Sequence, residues 1–123
     1  MIKVGTDIIE VQRIEESIAK YGDKFLRKIY TESEIIYCQK YKLSAERFAG
    51  KFAAKEATQK ALMGAYPGLS FPLKNIEIRN NVHGKPEILL LRGLTKFTNK
   101  IDLEVSISHI KKFATATTIL VEK

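Results

Sequence analysis

The chain has 123 residues, of which 45% are hydrophobic and 28% charged, and a formal net charge of +7 at pH 7. These values predict one globular domain over residues 1–123 and exclude a disordered chain; no apolar run reaches the roughly 18 residues of a membrane span. The only cysteine, Cys38, rules out an intramolecular disulfide framework and a cysteine zinc cluster, and reads as a helix-surface or half-buried thiol. Met1 to Asp7 has neither the apolar core nor the cleavage site of a signal peptide, so a cytoplasmic location is expected. The positive excess is spread over both halves of the chain. Such a field suits an anionic partner, whether nucleic acid, an acidic protein or a phosphate-rich small molecule, and does not choose among them.

Ile2 to Ile8 reads as a short strand. Val11, Ile14, Ile18 and Tyr21 then recur at helical spacing until Gly22 offers a stop. Thr31-Glu32-Ser33-Glu34 has the capping-box pattern and predicts a helix from Glu32 to Lys40. Ser44 is placed to cap a long helix that ends near Gly64, before the Pro67-Gly68 loop. On that helix Phe48, Phe52, Glu56 and Lys60 share one arc, with Glu56 near its middle. Gly50, Ala54, Ala57 and Ala61 form a second arc, small enough for close packing, so the helix is expected to be central.

Beyond Gly68 the pattern turns to strands. Ile76 and Ile78 alternate with polar residues, Asn80 to Gly84 is turn-rich, and Pro86 to Leu91 returns as the second arm of a hairpin. Gly93 to Lys100 is a modest helix candidate. Leu103, Val105, Ile107 and His109 share one strand parity; Lys111-Lys112 is a turn, and Phe113 to Val121 completes a second hairpin. Helices in the first half and antiparallel strands mostly in the second predict an α+β fold, the helices packed on the sheet.

A carboxylate among apolar neighbours needs a proton, a counter-ion or a metal. Asp7, at a strand-to-helix junction, and Glu56 are able to meet in space. Magnesium takes one or two protein carboxylates and fills its other positions with water and substrate phosphate oxygens, so the two acids with Lys55 and Lys60 nearby fit a pyrophosphate site. The plainer reading makes Asp7 a helix N-cap and pairs Glu56 with Lys60 at i, i+4. His109 is either a core histidine or a group at the mouth of a pocket, while His83 belongs to a solvated turn. Neither a Walker A sequence nor a nucleophile elbow is present. Arg13, Lys20, Lys24, Arg27 and Lys28 form a basic set that is either a solvated face or a docking surface for an acidic partner.

Four segments together resemble bacterial holo-acyl-carrier-protein synthase: Val4-Gly5-Thr6-Asp7-Ile8-Ile9-Glu10 with Arg13; Phe48 to Ala57 with Lys60-Ala61; Gly84-Lys85-Pro86; and Val105-Ser106-Ile107-Ser108-His109. The resemblance covers the whole chain. It implies a 4′-phosphopantetheinyl transferase fold and magnesium-dependent transfer of the 4′-phosphopantetheine arm of coenzyme A to a serine of apo acyl carrier protein. Asp7 and Glu56 then match magnesium ligands, Lys60 a lysine beside the phosphates, and Glu56 is the first choice for the base, with Asp7 or a water as alternatives. Lys51, Lys60, Gly84, Lys85, Pro86, Ser108 and His109 are expected to bind coenzyme A. Lys51 stands where many relatives carry arginine, so a point charge replaces a planar fork. Arg13, Lys20, Lys24, Arg27 and Lys28 become the docking face for an acidic carrier protein. A homotrimer with sites between subunits is implied, and neither nucleic acid nor membrane is expected as a partner. The rival readings are a small basic RNA-binding protein and a magnesium-dependent phosphohydrolase.

Overall fold

The computed structural model describes residues 1–123. Strand β1 (Ile2–Glu10) leads into helices α1 (Val11–Tyr21), α2 (Asp23–Ile29), α3 (Glu32–Gln39) and the long α4 (Ser44–Ala65). Strands β2 (Ile76–Asn80), β3 (Pro86–Leu90), β4 (Ile101–His109) and β5 (Phe113–Glu122) follow. The expected α+β class is what forms, with one difference in the sheet. The strands make two separate antiparallel sheets, a three-stranded one in the order β1-β5-β4 and the β2-β3 hairpin. The N-terminal strand is therefore an edge of the larger sheet, and the C-terminal strand β5 is its centre.

Alternation fixes which side of that sheet is covered. Along β5, Ala114, Ala116, Thr118 and Leu120 are buried and the residues between them exposed. Two of the buried four are alanines, which brings α4 close to the strands. Ala54, Ala57 and Ala61 of α4 are fully buried on the same contact, as the small-residue arc predicts. Thr58 ties helix to strand, its Oγ1 lying 2.9 Å from Thr118 Oγ1. The closest approach is at Gly5, where a Cβ would fall onto the Ala57 carbonyl and 2.9 Å from the Ala61 nitrogen.

Two apolar cores flank α4. One lies between its C-terminal half and both sheets, with Leu62, Ile76, Ile78, Leu94 and Leu120 inside. The other lies between its N-terminal half and α1–α3, around Ile14, Leu26, Tyr30, Ile35 and Phe48. Each such side chain contributes about 1.5–3 kcal/mol on burial. Tyr30 carries its polar end inward by donating to the Phe48 carbonyl at 2.8 Å.

Several local expectations need correction. Helix α4 begins after Leu43 and has no side-chain cap, because Ser44 is already its first helical residue; the helix runs through Gly64 to Ala65. Residues 92–97 form a 3-10 turn, too short to become the α-helix expected there. Helix α2 is additional: Gly22, at φ +55, ends α1, and the chain re-enters a helix at Asp23. Cys38 is fully buried. Burial pushes its thiol up to about 12, which makes it unreactive.

Candidate active site

Asp7 is inside β1, two residues beyond Gly5 and on the same helix-facing side of the strand. It cannot cap α1, whose N-cap is Glu10. The close packing of Gly5 on α4 sets Asp7 against the next turns of that helix, and there it meets Glu56 and Lys60. The three line one open cleft of about 560 Å³ together with Arg13 and Phe52. Lys60 does not pair with Glu56; its ammonium donates to the Thr6 carbonyl at 2.9 Å and lies 3.4 Å from Asp7 Oδ1. The Glu56 carboxyl is held above the ordinary carboxylate range, chiefly by burial and next by the charge of Asp7, with Lys60 acting the other way. Two acids that repel across a cleft form a hard-oxygen donor set for a cation. No third histidine, cysteine or acid joins them to make a closed cage.

The remaining lysines of α4 face the opposite flank. Lys55 is fully buried and makes a 2.6 Å ion pair with Glu34, so it does not belong with Lys60 beside the acids. Glu34 also accepts from the backbone nitrogens of Thr31 at 2.8 Å and Ile78 at 2.7 Å, locking α3, α4 and β2 together. The capping box is real, but its glutamate does three jobs. Lys51 is 4% exposed and donates to the Ile78 carbonyl and Asn80 Oδ1, both at 2.7 Å. Burial lowers its pKa. No carboxylate lies within ion-pair reach of it.

Lys51 lines a second, smaller cleft of about 150 Å³ with Tyr37, Arg47, Gly84, Pro86 and His109. Gly84 adopts φ +83, a conformation that glycine takes freely and that lets the hairpin turn present its backbone there. His109 Nδ1 stands 3.6 Å from Glu46 Oε1. Two residues expected at this place do not line it. Lys85 is exposed and pairs with Glu104 at 3.2 Å. Ser108 has the opposite strand parity to His109 and faces out from the other side of the sheet.

The expected residues thus fall into two clefts on opposite flanks of α4. One is at the β1 edge of the sheet, with Asp7, Glu56 and Lys60; the other is beyond the β4 edge, with Lys51, Gly84, Pro86 and His109. The sequence reading overlooks Arg47, Tyr37 and Tyr41. Its available signal is spacing: Tyr37 and Tyr41 are four apart, and Arg47 begins the arc that continues to Lys51. In the structure Arg47 stacks on the Tyr41 ring, 4.0 Å from its centre. Burial and the hydrogen bond to Tyr41 push the Tyr37 hydroxyl up to about 12, so it is a neutral donor. On the basic face, Arg13 opens into the first cleft, Lys20, Lys24 and Lys28 are exposed, and Arg27 is occupied by an ion pair with Glu32.

Residues 3–118 match the family described as ACPS, 4′-phosphopantetheinyl transferase superfamily. Among its relatives, the holo-[acyl-carrier-protein] synthase of Protochlamydia amoebophila is 44% identical over 114 residues, 92% of each chain. That of Chlamydia pneumoniae is 44% identical over 97% of this chain and 96% of the other. The fold superposes on a Chronobacterium ammoniagenes ACPS–CoA complex with TM-score 0.86 and 25% identity, covering 100% of this chain and 98% of that one. It also matches the Bacillus anthracis holo-(acyl-carrier-protein) synthase in complex with CoA (3′,5′-ADP), with TM-score 0.78 and 36% identity over 98% and 96% of the two chains. The match over nearly the full length, at this identity, shows that the chain belongs to the holo-[acyl-carrier-protein] synthase family of 4′-phosphopantetheinyl transferases and is a transferase.

Proposed function

We propose that this enzyme transfers the 4′-phosphopantetheine arm of coenzyme A to a serine hydroxyl of apo acyl carrier protein, releases adenosine 3′,5′-bisphosphate, and requires magnesium. The observation that carries the reading is the convergence of Asp7, Glu56 and Lys60 in one open cleft, in a chain whose relatives are named for this synthesis. The donor set fits the metal: two half-buried carboxylates that repel each other, with no further protein ligand, leave positions for water and phosphate oxygens. Asp7 and Glu56 would hold the magnesium, which would supply positive charge to offset that on the attacked phosphoryl group and the leaving bisphosphate.

The residues divide the remaining work. Glu56 accepts the proton of the carrier serine as its Oγ bonds to the pantetheine phosphorus and the bond to the bridging oxygen breaks. Lys60, a point cation already beside Asp7, stabilises the equatorial and leaving oxygens. Lys51, Gly84, Pro86 and His109 hold the nucleotide end; Lys85 is next to it in the hairpin turn, and Ser108, on the other face of the sheet, does not share that cleft. Arg13, Lys20, Lys24 and Lys28 offer positive charge to an acidic carrier protein, and Arg27 joins them once Glu32 releases it. Because the two clefts lie on opposite flanks of α4, we place the complete site between subunits of a homotrimer, one chain contributing the acids and its neighbour the nucleotide cleft. The working compartment on this reading is the cytoplasm.

The test is mass spectrometry of apo acyl carrier protein after incubation with the enzyme, coenzyme A and magnesium. The expected product is the carrier with one phosphopantetheine added, formed only when magnesium is present. An unmodified carrier at enzyme excess would refute the reading. Release of adenosine 3′,5′-bisphosphate without carrier protein would instead indicate the phosphohydrolase.

A further inference from the structure

The mechanism leaves the fully buried ion pair of Lys55 and Glu34 unused. Such a pair is rarely kept for stability alone, because desolvation offsets most of its attraction and apolar side chains of similar volume serve a fold as well. What apolar side chains lack is an acceptor. Glu34 Oε2 accepts from the Ile78 backbone nitrogen at 2.7 Å, while Oε1 takes Lys55 Nζ at 2.6 Å and the Thr31 nitrogen at 2.8 Å.

Ile78 is where that acceptor matters. Its nitrogen goes to Glu34 and its carbonyl to Lys51 Nζ at 2.7 Å, so both backbone groups point away from β3, although the residue stands opposite Ile88 in the hairpin. This is the non-hydrogen-bonded position of an antiparallel pair. No further strand lies beside β2, and side chains of α3 and α4 satisfy its outer edge instead. Thr31 Oγ1 adds a tie one residue earlier by donating to Glu77 Oε1 at 2.6 Å. Beyond Ile78 the strand is exposed at Arg79, and Asn80 enters the turn by donating from Nδ2 to the Gly84 carbonyl at 3.0 Å. Glu34 and Lys51 are thus the last polar ties between the helices and a hairpin whose turn presents Gly84 and Pro86 to the second cleft. Lys55 adjoins Glu56 on α4, so the hairpin is referenced to the helical turn that carries the acidic cleft.

We infer that Glu34 is a positioning residue of the donor site: by accepting from Ile78 it holds the hairpin turn in place for coenzyme A, with Lys55 as the counter-ion that lets a carboxylate be buried there. This rests on the transferase reading above.

The test compares two doubly substituted enzymes, neither of which leaves a buried charge unpaired. Glu34→Gln with Lys55→Met keeps a neutral oxygen for the Ile78 nitrogen; Glu34→Leu with Lys55→Met keeps none. Both are measured beside the wild type by amide hydrogen exchange, by calorimetry with coenzyme A and by steady-state kinetics. In the wild type the Ile78 amide should exchange as slowly as the amides of the β2-β3 ladder. The glutamine pair should keep that protection and the wild-type Kd and KM for coenzyme A. In the leucine pair the Ile78 amide should exchange roughly 10-fold faster or more. Its Kd and KM for coenzyme A should rise roughly 3- to 10-fold, the scale of one lost hydrogen bond, with kcat at saturating coenzyme A and the KM for the carrier unchanged. A purely structural role for Glu34 predicts a lower thermal midpoint in the leucine pair with the wild-type Kd, and that outcome overturns the inference. An Ile78 amide that exchanges in the wild type as fast as those of the exposed turn overturns it as well, and that measurement needs no variant to fold. A wild-type enzyme that binds coenzyme A and leaves the carrier unmodified would overturn the transferase reading, while the exchange and binding comparison would still decide the role of Glu34.

Discussion

Glu56 and Asp7 repel one another across their cleft, and that repulsion has a measurable sign. The Glu56 carboxyl holds its proton more tightly in the folded chain than in the unfolded one, because of burial first and the charge of Asp7 second. Where the folded state binds more protons, stability falls as pH rises. The metal-free protein should therefore lose stability as pH climbs through the region just above the ordinary carboxylate range, and this group's contribution is gone at neutral pH. Glu56→Gln removes the charge and keeps the shape. Its thermal midpoint without metal, at pH 7, should equal or exceed that of the wild type by a few degrees, on the order of 2–5 °C. Magnesium should raise the wild-type midpoint and leave that of Glu56→Gln where it was. Turnover of the variant should fall by roughly 100-fold or more, the scale of a lost general base. A variant that keeps both its magnesium shift and its turnover would remove Glu56 from the site. The measurement separates site from scaffold, since a structural carboxylate would lose stability on the same change.

At the scale of elements, the position of Asp7 depends on how closely β1 lies on α4, and Gly5 sets that distance. An added Cβ there meets backbone atoms of Ala57 and Ala61, which cannot turn aside as a flexible side chain would. Gly5→Ala should cost about 3 kcal/mol or more in chemical denaturation, at the upper end of overpacking effects. It should also lower turnover under conditions where the variant is still folded, because the strand that shifts carries Asp7. A change below about 0.5 kcal/mol would mean that β1 has slack against the helix. The small arc of α4 that receives Gly5 is legible in sequence, since spacing along a helix is local and alanine and glycine admit only close packing. The capping box of Thr31 and Glu34 is legible for the same reason. Lys55 is not: beside Glu56 it reads as a second cation for the same phosphates, and its partner Glu34 is on another helix, so only packing of α3 on α4 reveals a buried pair. Arg47 escapes for a similar reason, its significance lying in the aromatic ring beneath it. Helix α2 escapes because seven residues are under two turns and its apolar residues, Phe25, Leu26 and Ile29, are too few to define a period.

At the scale of the molecule, the larger sheet is covered by α4 on one side and open on the other. On the open side Ile2, Val4 and Ile8 of β1 are 67%, 61% and 67% exposed. Pairing sets Val4 beside Ile119 and Ile2 beside Val121, so the exposed apolar residues of β1 and β5 form one continuous surface. Contiguous apolar patches of this kind mark interfaces. The same sheet carries Asp7 on its β1 edge and His109 on its β4 edge; in the homotrimer proposed above, a head-to-tail ring that buries the open face would bring the acids of one chain to the second cleft of the next. This arrangement predicts complementation. Glu56→Gln spoils the first cleft and His109→Ala the second, so each variant alone should be nearly inactive. A mixture assembled together contains junctions in which an intact first cleft from one variant faces an intact second cleft from the other. For equal random mixing about one quarter of the junctions are of that kind, and activity should return to about that fraction of the wild type. Light scattering on the same samples should give a mass three times that of the chain. Val4→Lys with Ile119→Lys, on the open face and away from both clefts, should abolish the assembly and the complementation together. If the mixture stays inactive while the assembled mass is retained, both halves of the site belong to a single chain, and α4 must move to let them meet.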